Sequence, residues 1–462
     1  MKLSNNNSGF VLLLSLVLLI FLGLLLEASS LRSNIELQES ISRLDSQRAF
    51  NAAESGLAAA IDQLRINSKW DPGTAASPGT PPLMNGVALV DDTNPSDNTN
   101  PTLNKKVGYY SVLVKTAPDF EHFQSVWIKS IGYSQDPGVQ PQIMRSILAQ
   151  VVVESPTNFF LSTAGNLNIL SGADINSSII GNNINFVVNP ALPSPQNNIT
   201  IGGTVFYLQS VNGNANPAVI IDPPDGGKTD PSPTETFSGV DTDSYTSLAQ
   251  NGGTYVDGDL TVNGDININN AQFQSANGTP NENGVVFATG DIHISGTVES
   301  SMLFVAGGDV YLDGDVVVPD SDGLDPQDNP NAPQIGILAK GNMIIPQASP
   351  VGTIDAFLMA DGGINGLEGG VLQALGNKLS KGDLTIMGAI AVRGNGVTTA
   401  VDLDAYTTRT YTYNTQFLNN VKIPFLPAIT QVETWQEINP QCDFTQTIPA
   451  QPNLATEPNG PC

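Results

Sequence analysis

The chain has 462 residues, enough for roughly two or three domains and a sizeable core. Apolar residues make up 40% but charged residues only 13%, and Gly (44) and Pro (32) are frequent, a mixture that suits short strands joined by turns. Acidic residues outnumber basic ones 44 to 18, giving a net charge of −26, which excludes the basic face of a nucleic-acid binder and suits a domain soluble outside the cell.

Residues 1–9 are short, polar and carry one lysine, and Phe10 to Leu26 then run apolar, interrupted only by Ser15 and Gly23. That length lies at the lower end of what crosses a bilayer as a helix. Two readings of the segment stay open beside a third that follows: a secretory signal peptide cut near Ala28, Ser29 and Ser30, and an ordinary membrane anchor. Beyond it, residues 27–65 hold no proline, and Phe50, Ala53, Leu57, Ile61 and Leu64 recur at helical spacing as one apolar stripe. Glu36, Glu39, Asp45, Arg48, Glu54 and Asp62 are interleaved as a solvated set.

The pair Gly9-Phe10, placed before the apolar run, resembles the class III leader of type IV prepilins. That resemblance implies cleavage by a prepilin peptidase and N-methylation of Phe10. The segment Arg48-Ala-Phe-Asn-Ala-Ala-Glu-Ser-Gly-Leu57 resembles the AFxAAExGL segment of PilX-type minor pilins. Together these cover about the first 65 residues. In major pilins a glutamate stands at the fifth mature position; here that residue is Leu14, which points to a minor, often tip-located member. The resemblance implies a transmembrane and filament-packing helix over 10–66, with Phe10, Leu14 and Glu54 as its marked positions.

Residues 71–104 are rich in Pro, Gly, Asn and Asp and read as a loop with one short strand. Tyr109–Val114, Ser125–Gly132 and Ile143–Val153 are strand-length runs rich in Val, Ile and Tyr. They predict a small antiparallel sheet within 67–155 that covers residues 50–65.

From about residue 159 a repeat begins. Gly followed by Asp or Asn and then alternating apolar residues recurs at Gly165, Gly258, Gly290, Gly308, Gly341 and Gly382, with second glycines at Gly264, Gly296, Gly314 and Gly388. An apolar run ending in Ala-x-Gly places Ala288, Ala306, Ala339 and Ala360 in corresponding positions. Glycine-punctuated strands at intervals of about 20 residues argue for a solenoid, here a right-handed β-helix over 156–412, with a sandwich of hairpins as the competing architecture. Inward residues would be Leu260, Val262, Ile292, Ile294, Val310, Leu312, Leu384 and Ile386, with Gly and Asp/Asn at the corners. Segments 189–250, 319–333 and 364–381 read as loop insertions, and 413–462 as a cap and tail. The repeat and tail also resemble the polymer-forming or adhesin-like regions fused behind PilX-type N-termini. The fold class is therefore α+β: a long helix, a small antiparallel sheet and a mostly β solenoid.

Cys442 and Cys462 stand near the C-terminus, where a disulfide would close a terminal loop worth roughly 3 kcal/mol; the alternative is two unpaired thiols. His122 and His293 lie far apart, and no GxSxG, P-loop or HExxH element occurs. Asp257, Asp259 and Asp265, and again Asp309, Asp313 and Asp315, alternate near strand edges, where turn hydrogen bonding competes with a glycan-cleaving role. Asp320, Asp322 and Asp325 offer oxygen ligands for Ca²⁺ without the spacing of an EF-hand; otherwise no cofactor is expected.

The expected function is that of a minor pilin-like protein of type IV pilus assembly, with no catalytic activity. The implied partners are other pilins, the inner-membrane assembly machinery, the prepilin peptidase, and a surface glycan or protein ligand. It would pass once through the inner membrane before assembly, with the bulk of the chain periplasmic or extracellular. Alternatives are a permanently anchored envelope adhesin or scaffold, a β-helix glycan-active enzyme, and a K-type pseudopilin of type II secretion.

Overall fold

A computed structural model of the chain describes residues 7–66, 87–90, 106–116, 124–135, 143–154, 160–163, 165–191, 194, 197–221, 228–229, 239–274, 280–319, 329–362, 372–376, 380–394, 401–419 and 421–438. The first element is the helix α1 (Asn7–Ile66), which starts at Asn7 rather than Phe10. Its sequence contains no proline, so every turn can hydrogen-bond. The ion pair Arg32–Glu36 (3.0 Å) spans one turn on its exposed surface. At the other end the Arg65 carbonyl, which no later helical turn can serve, accepts the N–H of Ala428.

Four strands follow: β1 (Val87–Val90), β2 (Lys106–Thr116), β3 (Gln124–Tyr133) and β4 (Met144–Glu154). They pair antiparallel in chain order, as the alternating Val, Ile and Tyr pattern predicts. The fifth strand of this sheet comes from elsewhere. Ile429–Ile438, near the far end of the chain, returns to pair antiparallel with β4, with Ile429 opposite Glu154 and Ile438 opposite Ser146. Residues 429–438, read from sequence as part of a terminal cap, thus complete the first sheet, and the whole parallel domain is inserted between two of its neighbouring strands. The stretch before them, with Phe417, Ile423 and Leu426 buried, packs against the parallel domain.

That domain is one large sheet of 21 short strands, almost all parallel. One buried column shows its order: Thr254, Val286, Phe304, Ile337, Leu358, Ile390, Leu161, Ile179 and Val205 lie side by side on successive strands. Residues 161–163, the first strand of the domain, therefore sit inside the stack, between Ile390–Val392 and Ile179–Ile180. The chain builds outwards from there to Val219–Ile221, crosses to the opposite end, and builds back towards its own starting point. Helix α2 (Thr242–Gln250), capped by the Asp241 carboxylate, follows the crossing and buries Tyr245 and Ala249. Residues 189–250, read as a loop insertion, in fact supply the strands Ile199–Ile201, Val205–Asn212 and Val219–Ile221 as well as this helix. Their short runs, broken by Asn, Gly and Pro, lack the alternation that marks the longer strands.

The core of the domain is aliphatic, and the expected inward residues Val262, Ile292, Ile294, Val310, Leu312, Leu384 and Ile386 are all buried; Leu260 is half-buried. Each such side chain contributes about 1.5–3 kcal/mol by leaving water. Ala288, Ala306, Ala339 and Ala360 stand in one register column, as their spacing predicts.

Candidate functional site: the two halves of the N-terminal helix and the outer face of the parallel domain

The helix α1 divides sharply by contact. Ala49, Ala52, Ala53, Gly56, Ala60 and Leu64 are buried against the antiparallel sheet. Ala49, Ala52, Ala53 and Gly56 are the small residues of the AFxAAExGL-like segment, and the structure supplies their purpose. Gly132 on β3 lies so close that a Cβ there would come within 1.9 Å of the Ala49 carbonyl oxygen and 2.4 Å of the Ala53 nitrogen. From the other side, a Cβ on Gly56 would come within 2.8 Å of the Tyr110 ring. Helix and sheet meet backbone to backbone, which only Ala and Gly permit. The stripe expected from hydrophobicity was rotated accordingly: Phe50, Leu57 and Ile61 are only half-buried, flanking the seam of small residues. Glu54 points to solvent. Burial beneath the helix pushes the Tyr110 phenol up.

Arg145 on β4 locks three pieces together. Its Nε and Nη2 donate to the Ser46 hydroxyl (2.9 and 2.7 Å), and its Nη1 donates to Glu437 on the returning strand at 2.8 Å. Periodicity gives no sign of this contact, because the partners lie 99 and 292 residues away.

The other half of α1 packs against no other element among the described residues. Every residue from Leu14 to Leu44 is exposed, including Leu16, Leu18, Leu19, Phe21, Leu24 and Leu26, and Leu14 itself is 57% exposed. Within α1 lies a segment long and apolar enough to cross a membrane, none of it buried. Gly9 and Phe10 fall in the first turns of this helix; its side chains are described from Leu14 onwards. Cys442, Cys462, Asp320, Asp322, Asp325 and His122 lie outside the described residues.

On the parallel domain, the Gly-Asp repeat has a specific mechanical meaning. The Asp259 carboxylate accepts the N–H of Asp291 (2.9 Å), Asp291 that of Asp309 (2.8 Å), and Asp309 that of Asn342 (2.6 Å). A Cβ on Gly290, Gly308 or Gly341 would come within 2.1, 2.2 or 2.1 Å of the Asp oxygen on the preceding layer. Glycine vacates the seat and aspartate fills it from the layer before. The glycine at 382 stands outside this column, with open space around it. His293 faces outwards as expected, its ring stacked on Tyr311 (4.6 Å, 7°) and its Nδ1 2.8 Å from Asp313 Oδ2. Two further columns run on other strands of the domain: Asn168, Asn185 and Asn212 are joined amide to amide (3.0 and 2.9 Å), and so are Asn166 and Asn183 (2.9 Å). These ladders read as cross-layer stapling, and the outer faces they line are regular and polar.

No family model matches the sequence, and no curated protein matches it. Among solved structures, the chain is similar to the competence-associated pilin ComZ from Thermus thermophilus, at 14% identity and a TM-score of 0.28, covering 85% of this chain and 97% of that one. At so low a TM-score the likeness decides nothing, and the class follows from the chain's own helix and sheet. The chain is α+β, with one N-terminal helix of membrane-crossing length, its second half bedded on an antiparallel sheet and a large parallel sheet carried beyond.

Proposed function

We propose that this chain is a minor pilin-like subunit of a type IV pilus. It would be cut between Gly9 and Phe10, stored in the inner membrane by its N-terminal helix, and assembled with other pilins so that its large domain is displayed outside the cell. The observation that carries this reading is the contact boundary in α1. The C-terminal half is bedded on the sheet through Ala49, Ala52, Ala53, Gly56 and Ala60, while the apolar N-terminal half is exposed, with no packing partner among the described residues. A helix exposing that much hydrocarbon is stable only in lipid or among like helices. The resemblance of Gly9-Phe10 and of residues 48–57 to prepilins points to the same use.

In this reading the parallel domain is a β-solenoid, right-handed by the rule that governs parallel crossovers, and serves adhesion or surface interaction rather than catalysis. Its corner aspartates are engaged in hydrogen bonds to the next layer, which leaves a structural role as their simplest use. A surface glycan or protein would be met by the outer columns. The insertion of this domain between β4 and the returning strand suits display, because both of its tethers emerge at one end of the sheet.

The test is intact-mass analysis of the N-terminus after expression with and without a prepilin peptidase. Loss of residues 1–9 together with a methylated Phe10 supports the pilin. Retention of Met1 in both cultures would sink it in favour of a permanently anchored adhesin, the second reading.

A further inference from the structure

Asp355, on the strand Thr353–Ala360, differs from the corner carboxylates of the parallel domain. Those at the corners are exposed or half-buried and accept backbone N–H groups from the next layer. Asp355 is only 8% exposed; its Oδ2 accepts the Val318 N–H at 3.0 Å, and its Oδ1 is buried with no hydrogen-bond partner. On the adjoining strand Val310–Val317, Val316 pairs with Ile354, which brings Asp315 beside the same end of the ladder. The Asp315 Oδ1 accepts the N–H groups of Gly352 (2.7 Å) and Thr353 (2.9 Å), so both carboxylates are held by backbone they do not share. Among the described residues, no Lys, Arg or His forms an ion pair with either.

Two neighbouring carboxylates, one of them desolvated and half-unsatisfied, are costly unless positive charge lies between them. We propose that Asp315 and Asp355 bind a divalent cation of the hard, oxygen-seeking class of Ca²⁺. Such an ion takes about six to eight carboxylate, carbonyl and water oxygens in a flexible shell, of which these two carboxylates would supply the charged part and water the remainder. It would satisfy the orphan Asp355 oxygen and cancel the repulsion between the pair. The proposal uses none of Asp320, Asp322 and Asp325, and it does not depend on the chain being a pilin.

The test uses the full chain in detergent, stripped with EDTA and titrated with Tb³⁺ and then Ca²⁺. One saturable site per chain is expected, with Ca²⁺ displacing Tb³⁺ and raising the melting temperature. Asp355→Asn and Asp315→Asn should each weaken binding at least about tenfold, or about 1.4 kcal/mol. Asp313→Asn, at an exposed carboxylate on the same strand, should leave it unchanged. Asp355→Asn keeps an acceptor for Val318 and should melt no lower than wild type in EDTA. Should that variant prove misfolded, the exposed Asp315→Asn decides alone. Many weak equivalent sites, as a charge of −26 would give by counterion condensation, would overturn the proposal. So would affinity indifferent to both substitutions.

Discussion

The Gly-Asp corner makes a prediction sharp enough to be worked in full. Gly308 adopts a backbone that any residue tolerates, since it is absent from the left-handed glycines of the chain. Gly308→Ala should therefore add no backbone strain, and its whole effect is spatial. The new methyl would lie 2.2 Å from the Asp291 Oδ1, and the next nearest atoms, of Gly290, are at 3.3 Å. The carboxylate must swing away, breaking its 2.8 Å hydrogen bond from the Asp309 N–H. A hydrogen bond to a charged group is worth about 1.5–3 kcal/mol, and leaving the half-buried N–H unpaired belongs to the same figure. Gly308→Ala should cost about 2–3 kcal/mol, and Asp291→Ala about 2 kcal/mol, for the same lost bond. In the double variant the methyl has space, so the cost should be that of Asp291→Ala alone, giving a coupling of about 2 kcal/mol in the cycle. The assay is denaturant unfolding of the full chain in detergent, followed by circular dichroism. Additive effects of the two substitutions, or a Gly308→Ala variant within about 0.5 kcal/mol of wild type, would refute the stapled corner.

Gly132→Val places a side chain where the Ala49 carbonyl stands 1.9 Å away, so α1 should lift from the sheet, seen as new proteolysis in β2–β4 and a loss of about 3 kcal/mol or more. Asp361 is 1% exposed and receives Lys340 (2.7 Å), Arg393 (2.5 Å) and the Val240 N–H (2.8 Å), anchoring the crossing segment before α2. Asp361→Ala strands two cations beside a buried site and should cost about 3–5 kcal/mol in urea unfolding, whereas an exposed pair such as Arg32–Glu36 should give under about 1 kcal/mol. Asp355 sets a pH slope in the absence of metal. Its folded value near 6 exceeds the ordinary 3.8, so the native state holds the extra proton between those values and stability falls as pH rises through that window. The fall should reach about 3 kcal/mol and level off above about pH 6.5, and Asp355→Asn should abolish it in melts run in EDTA.

Much of the architecture was legible because its signals are local. The apolar run to Leu26 and the proline-free stretch behind it specify one long helix, since helical periodicity needs only neighbouring turns. The alternation in Tyr109–Val114 and Ile143–Val153 specifies strands by the same logic. The recurring Gly-Asp and Ala-x-Gly units specify equivalent positions, and Ala288, Ala306, Ala339 and Ala360 do fall in one column. The helix face was less legible. Hydrophobicity favours Phe50 and Leu57, but the sheet selects the small residues because Gly132 and Gly56 allow the backbones to touch.

What the sequence by itself determined is thus the strongly periodic helix and strands, the positions of the glycine corners, and that the first helix carries a long apolar half; the short strands of 189–250 escaped it. What only the tertiary structure decided is the order of assembly. Any layer of a repetitive stack offers a similar edge to the next, so no local pattern says that Leu161 joins Ile390, or that the domain begins in its own middle. Nor does any pattern say that Ile429–Ile438 leaves the parallel domain to lie beside β4. Partner choice there is fixed by which exposed edge remains once everything else has packed. The same holds for Asp355, which no local pattern marks and only burial singles out.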